Sequence, residues 1–441
     1  MGTPWRAVLG AVLLGGAGQA VAVPPAHEAL TRELAAIVAD PGKPLSGLSV
    51  LAMRGGEVVY EGQSGRARIA TNGAGADLPV TPRTMFRIAS VSKMMTTLAL
   101  MQLVERGDVS LDADASRYLG FTLRNPHFPD RVITLRQLLT HTSSLRDDAG
   151  YSFGAGTALQ DVLVREPKAW AADRAPGSYF TYCNLGWGVI GTVMERVTGE
   201  RFDRLMQRLL LAPLGLRGGY NPAAFSADEL ADTATLYRRR TTDTEVWNSA
   251  GPWIAQVDDY GVRPPVPPAG IDRYVVGTNA TLFSPTGGLR ISARDLGTVM
   301  RMLVDGGRHG GRQLLLPETL AQMFSAQWTY RDPASGDTLN GLYHSWGLGT
   351  QRFTDVAGRG NRLVDGAHFE AVGHLGEAYG LVATFAVDLA RGDGMVTLIG
   401  GFGSDPERDP GSYSALTRAE ERILTTLYRG AIAPAPHDPR L

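Results

Sequence analysis

Between Met94 and Val104 the chain has almost no polar position: Met94, Met95, Leu98, Ala99, Leu100, Met101, Leu103 and Val104 leave only Thr96, Thr97 and Gln102 among them. A helix that is apolar nearly all round is enclosed by other elements on every side, so the rest of the chain must wrap this stretch. Ser90 and Lys93 stand at its entrance, in Phe86-Arg87-Ile88-Ala89-Ser90-Val91-Ser92-Lys93. Their spacing puts them about one helical turn apart on the same face. Lysine is scarce here, with Lys43, Lys93 and Lys168 the only examples, and a buried amine is costly unless it is paired or uncharged. One reading is a nucleophile, Ser90, beside a base or proton relay, Lys93, because a serine hydroxyl is weakly nucleophilic without such a partner. The helix N-terminus adds N–H groups and a positive dipole end where an oxyanion would form. The other reading is an N-cap serine followed by a lysine that snorkels to solvent.

A chain of 441 residues holds one large domain or two of ordinary size. Its formal net charge of −1 leaves no basic surplus, so nucleic acid and anionic membrane are not expected partners. Residues 1–22 have the order of a cleavable secretory signal: Arg6, the apolar run Ala7 to Leu14, then Ala20-Val21-Ala22. The apolar run is short and glycine-rich for a stable membrane span, and the mature protein is expected to be secreted or periplasmic. Cys183 is the only cysteine, so no intramolecular disulfide can form and the core alone must hold the fold. No histidine and cysteine cluster has zinc-site spacing, and no cofactor is called for.

Taken in order, His27 to Ala39 reads as a helix with Leu30, Leu34, Ile37 and Val38 on one face. Leu48 to Met53 and Val58 to Gly62 read as a hairpin about Arg54-Gly55-Gly56-Glu57. A loop rich in Gly, Ala and Asn is expected from Arg66 to Leu78. Helical signals dominate from Ser110 to about Gly219, including Ile133 to Thr142, Trp187 to Val197 and Phe202 to Leu211. Residues 236–283 read as a long irregular excursion over the site. Strands return at Leu348 to Phe353, Leu381 to Val387 and Met395 to Ile399, before a helix from Tyr413 to Tyr428. The fold class is therefore α/β of the α+β kind. An antiparallel sheet joins both ends of the chain, flanked by helices, and carries an inserted helical lobe. The expected single catalytic domain runs over 23–430, with a sheet lobe at about 27–105 and 285–430, a helical lobe at about 106–284, and a flexible tail at 431–441.

Ser90-Val91-Ser92-Lys93 before a long apolar helix resembles the first motif of the serine β-lactamase and penicillin-binding protein superfamily. Tyr182-Cys183-Asn184 is similar to its second motif, Y-x-N, and His374-Leu375-Gly376 to its third, K-T-G or H-x-G, on a sheet strand. Ile133 to Leu145 resembles the stretch ending in H-T-S-G-L, and Ser284-Pro285-Thr286-Gly287-Gly288-Leu289 the glycine-glycine turn before a helix. The likeness is greatest to the class C branch, which includes DD-peptidases, esterases and amidohydrolases. The resemblance implies that Ser90 is acylated, that Lys93 and Tyr182 carry the proton traffic with either as base, and that Asn184 orients Lys93 and the substrate amide. It implies backbone N–H groups of Ser90 and Glu377 as the oxyanion hole, and His374 and Gly376 as substrate-binding. Histidine at position 374 replaces a permanent cation that would hold a carboxylate. Glu377 stands where small residues are usual, so that an acid beside the oxyanion region should repel an anionic substrate. His141 is expected to be structural.

The implied function is an exported serine hydrolase that cleaves an ester, amide or peptide bond through an acyl-enzyme on Ser90. Its partner would be a small-molecule or peptide substrate, peptidoglycan-derived peptides included. The alternative is a penicillin- or peptidoglycan-binding sensor that acylates without turnover. Specificity would lie in the loops at 146–175 and 236–283.

Overall fold

The computed structural model describes residues 25–70, 76–240, 246–356 and 361–434. The expected signal at 1–22 lies outside the described residues. Helix α1 (Pro25–Val38) buries Leu30, Leu34, Ile37 and Val38 together. It leads into β1 (Gly47–Arg54) and β2 (Glu57–Arg68), which form the expected hairpin. Gly55 and Gly56 both have positive φ, which a side chain at this turn would resist. The loop expected from Arg66 is shorter than predicted, because β2 runs on to Arg68 and pairs with β3 (Leu78–Pro79).

The rest of the sheet comes from the C-terminal third: β6 (Trp328–Thr329), β7 (Ser345–Trp346), β8 (Gln351–Phe353), β9 (Ala371–Ala378), β10 (Leu381–Asp388) and β11 (Asp393–Ile399). All nine strands pair antiparallel in the order β6-β7-β8-β9-β10-β11-β1-β2-β3. Leu48 of β1 faces Ile399 of β11 inside this sheet, where strands from the two ends of the chain meet. Side chains alternate between two apolar layers: Leu51 and Met53 join one, Leu48, Val50 and Ala52 the other. The second layer is closed by α1 and by α5 (Arg418–Leu427). Helix α5 starts later than the expected Tyr413 because Thr417 and Glu420 form a capping box, while the Ser412, Tyr413 and Ser414 amides bond to Glu421. The chain does not loosen at Ala431 either. Helical turns continue through Ile432, and Ala431 and Ile432 are buried in the same layer.

On the other face lie α2 (Val91–Glu105) and α4 (Ala293–Val304). Helix α2 has 12 of its 15 residues buried, so only its last turn, with Gln102, Val104 and Glu105, reaches water. The sheet packs on one side of it and the helical lobe on the other, in one continuous apolar cluster. The lobe includes α3 (Leu185–Thr198), with Trp187 and Ile190 fully buried, and the short helix Leu135–Leu139, opened by a Thr134–Gln137 capping box.

The excursion at 236–283 is only partly irregular. Leu236–Arg238 and Ile254–Val257 pair with each other, and the former runs parallel to Gly401–Phe402. Asp258 ties this excursion down behind the turn that carries Ser90. It accepts from Arg290 Nε at 3.1 Å and Nη2 at 2.7 Å, and from the Tyr260 hydroxyl at 2.7 Å. Arg290 lies in β5 (Arg290–Ser292), whose antiparallel partner is β4 (Met85–Arg87), the strand that delivers Ser90. Burial opposes ionisation of Asp258, but the guanidinium groups of Arg290 and Arg87 outweigh it and hold its pKa below the ordinary value. Truncating one member of such a pair leaves the other charge buried and alone. We therefore expect Asp258→Ala to lower stability by about 3–5 kcal/mol, read as a lower urea midpoint with an unchanged slope.

Candidate active site

Ser90 sits on a strand-to-helix turn. Ala89 before it has φ 46°, a left-handed conformation that costs a non-glycine residue about 1–3 kcal/mol. That turn aims the Ser90 side chain out of the end of α2, while Lys93 is drawn wholly inside, 0% exposed. The lysine does not snorkel. Its Nζ lies 2.9 Å from Ser90 Oγ, 2.8 Å from Asn184 Oδ1 and 3.1 Å from the Thr286 carbonyl oxygen. Burial drives its pKa from 10.5 down to about 7, against the opposing pull of Asp147 and Cys183.

Asn184 stands at the N-terminus of α3 but does not cap it. Asp147 caps it instead, from a separate loop, accepting from the Asn184 and Leu185 amides at 2.8 Å each. The same carboxylate accepts from Asn184 Nδ2 at 2.8 Å. A carboxylate can only accept, so this bond settles which end of the Asn184 amide faces Lys93. It is the carbonyl oxygen, which also accepts from Thr286 Oγ1 at 2.7 Å.

Tyr182 stands between the lobe and the sheet in an aromatic wall. Its ring stacks on Tyr343 with centroids 5.1 Å apart, meets His141 at 4.4 Å and His374 at 6.4 Å, and has Lys93 Nζ 4.9 Å from its centre. Its buried hydroxyl lies beside the Ser90 and Tyr343 hydroxyls without a well-aligned hydrogen bond to either. Burial, reinforced by Tyr343, pushes its pKa well above the usual tyrosine value. Tyr182 therefore keeps its proton in the free protein. His141 supports this wall. Its Nδ1 accepts from the Cys183 amide at 3.0 Å, and burial, then Lys93 and His374, hold it uncharged.

The third element is β9. A Cβ on Gly376 would come within 2.5 Å of the Ile88 carbonyl oxygen and 3.3 Å of Ser90 N, so only glycine lets this strand lie against the Ser90 turn. His374, two residues back, shares that face and is buried against Trp346, ring centroids 5.3 Å apart. Burial and Lys93 lower its pKa to about 3. Glu377 departs from expectation. The pleat turns its side chain to the face of Leu375, a member of the α1–α5 layer, and away from Ser90. Its charge is felt by Tyr343 and Glu420, so the acid borders the cleft and does not point at the oxyanion region.

The structure thus gathers Ser90, Lys93, Tyr182, Asn184, His374 and Gly376 from three distant stretches, and turns the Glu377 side chain aside. Three further residues belong to the same site. Thr286 was within the recognised turn. Asp147 follows the H-T-S-S-L stretch, but nothing local separates it from its neighbour Asp148. Tyr343 lies in a stretch with no periodicity.

A profile of the Beta-lactamase family matches residues 33–419. Among proteins of assigned name, esterase EstB of Burkholderia gladioli is 34% identical over 191 residues, 39% of this chain and 46% of the esterase. Penicillin-binding protein 4 of Amycolatopsis lactamdurans is 33% identical over 146 residues, 32% of this chain and 37% of that protein. The matched stretches thus span less than half the length of either relative. Among solved structures, a D-amino acid amidase from Ochrobactrum anthropi SV3 superposes with a TM-score of 0.62 at 18% identity, over 92% of this chain and 99% of the amidase. The octameric penicillin-binding protein homologue from Pyrococcus abyssi gives 0.60 at 22% identity, over 86% of this chain and 74% of that one. At these identities the likeness is one of fold. The profile match takes in most of the chain and every residue of the site just described, and on that ground the chain belongs to the beta-lactamase family.

Proposed function

We propose that this protein is an exported serine hydrolase that cleaves ester or amide bonds through an acyl-enzyme on Ser90, with neutral Lys93 as the base. The observation that carries this reading is the set of three contacts at Lys93 Nζ. A neutral amine has two hydrogens and one lone pair. Asn184 Oδ1 and the Thr286 carbonyl can only accept, so they take both hydrogens, and the lone pair is left facing the Ser90 hydroxyl. A pKa near 7 makes that neutral form abundant at neutral pH. A tyrosinate base is disfavoured by the raised pKa of Tyr182.

In this reading Ser90 Oγ bonds to the substrate carbonyl carbon as its proton passes to Lys93. The resulting oxyanion is held by the Ser90 and Glu377 amides. The C–O or C–N bond then breaks, and the proton leaves on the departing group by way of Tyr182. Water repeats the sequence on the acyl-enzyme and restores Ser90. Names among the relatives support this chemical range, an esterase and a D-amino acid amidase. Export rests on Arg6, the apolar run to Leu14 and Ala20-Val21-Ala22.

The test is a fluorophosphonate label followed by tryptic mapping, together with steady-state hydrolysis of p-nitrophenyl acetate. We expect one adduct, on Ser90 within the peptide Ile88 to Lys93, and many turnovers per site. An adduct without turnover would establish the acylating sensor instead. An adduct elsewhere, or none, would remove Ser90 as nucleophile.

A further inference from the structure

Two tyrosines at the mouth of the cleft have no part in the reaction derived above. Ala378 pairs with Leu381, so Tyr379 and Gly380 alone form the turn between β9 and β10. Both have positive φ, 57° at Tyr379 and 95° at Gly380. A two-residue turn of this kind ordinarily takes Asn, Asp or Gly at its first position. A bulky aromatic residue there is strained, and such strain persists only where the surroundings impose it. Here they do. A side chain on Gly380 would collide with the Tyr237 carbonyl, so the turn is pressed against the excursion at 236–283. Arg87 sets its guanidinium 4.9 Å from the centre of the Tyr379 ring. One face of that ring is thus occupied. Tyr379 is nevertheless 43% exposed, so its other face is open.

Tyr151 approaches from the helical lobe. It lies four residues after Asp147, whose carboxylate is fixed to the Asn184 and Leu185 amides. Gly150, with φ 84°, turns the chain just before it. Tyr151 is 45% exposed. Burial raises its pKa, Asp147 and Tyr379 add to the rise, and Arg87 opposes it. Rings from the two sides of the cleft therefore lie within electrostatic reach of each other, with no part in holding Lys93.

Their place relative to the reaction follows from β9. In the proposed mechanism the departing group takes its proton from Tyr182, whose ring lies toward His374. Tyr379 is five residues beyond His374 and two beyond Glu377, whose amide holds the oxyanion. The acyl group therefore extends away from Tyr182, past Glu377, toward the turn. Two residues of strand span roughly 7 Å, the reach of an acyl chain with a ring two carbons beyond the carbonyl. We infer that Tyr151 and Tyr379 form an acyl-group subsite, in which an aryl ring of the substrate packs between the two tyrosine rings. The substrate class is esters and amides of arylalkanoic acids, because aromatic rings pair through their faces and edges with gains beyond simple burial. Arg87 is a positioning residue that holds the Tyr379 ring. The inference rests on the proposed reaction, with Ser90 as nucleophile and Tyr182 as proton donor to the departing group.

Three p-nitrophenyl esters test it: the propanoate, the 3-phenylpropanoate and the 3-cyclohexylpropanoate. We expect kcat/KM for the phenyl ester to exceed that for the propanoate by at least about tenfold. It should also exceed that for the cyclohexyl ester, since a flat ring fits between two rings better than a puckered one. Tyr151→Ala and Tyr379→Gly should each lower the phenyl-to-propanoate ratio by about three- to tenfold. Glycine is the choice at 379 because the turn's backbone accepts it without strain. The ratio is the readout, so a general loss of activity cancels, and either variant answers the question if the other does not fold. A wild-type ratio near one, a cyclohexyl ester cleaved as well as the phenyl ester, or a ratio that neither variant moves would overturn the inference. So would failure to cleave the phenyl ester in a protein that turns over p-nitrophenyl acetate. Failure on p-nitrophenyl acetate itself would instead strike the hydrolase reading, and this inference with it.

Discussion

Ser90→Ala is expected to lower kcat for p-nitrophenyl acetate by a factor on the order of 10⁴ or more, and to abolish the fluorophosphonate adduct. In the proposed reaction the Ser90 hydroxyl forms the covalent bond, and the neighbouring Ser92 is not placed to replace it. Ser92 is fully buried, and its Oγ accepts from the Leu289 amide at 3.2 Å. Removal should leave the fold intact, since the Ser90 side chain makes no cap of α2 and its hydroxyl meets Lys93 Nζ at 2.9 Å at the mouth of the site. The thermal midpoint should therefore stay within a few degrees of wild type. An unchanged rate in a folded Ser90→Ala protein would end the acyl-enzyme reading.

The second large effect belongs to Lys93. Replacement by methionine, similar in length and uncharged, should cost on the order of 10³- to 10⁴-fold in kcat/KM, the range of a lost general base. In the wild type, kcat/KM should rise with pH through about 7, as Lys93 loses its proton and its lone pair becomes available. That limb should disappear in the residual activity of Lys93→Met. Stability carries a separate signature. The folded pKa lies below the unfolded one, so between about 7 and 10.5 the unfolded chain binds more protons at this site, and wild-type stability rises with pH. Below that window the folded protein must bury a charged amine. The thermal midpoint of Lys93→Met minus that of wild type should thus be more positive at pH 6 than at pH 9. A difference independent of pH would mean that Lys93 is not neutralised by burial.

What was legible in the sequence was local. Helix α2 announced itself through its lack of any polar face, α1 through the spacing of Leu30, Leu34, Ile37 and Val38, and the first hairpin through Gly55-Gly56. Ser90 and Lys93 stood out because an amine inside an apolar helix calls for an explanation. What was not legible depended on pairs that only the fold creates. Asp147 matters because it caps a helix that begins 38 residues later, a relation with no sequence spacing to betray it. Tyr343 matters through one stacked ring from a different lobe. Glu377 was assigned a place beside the reacting group from its position in the chain, but a strand alternates faces, and its neighbours His374 and Gly376 occupy the face that looks at Ser90. The end of the molecule misled in another way. A proline-rich composition hid the apolar pair Ala431 and Ile432, which the adjacent layer buries.

The pairing of Leu48 with Ile399 places β1, the first strand of the described residues, inside its sheet, with a neighbour made almost last. On a ribosome, β1 and β2 would emerge as a lone hairpin, and a lone hairpin is marginal in water. Nearly the whole polypeptide must exist before this pair can close, and that closure is entropically slow. The seam between β1 and β11 is therefore among the last parts of the sheet that synthesis allows to close.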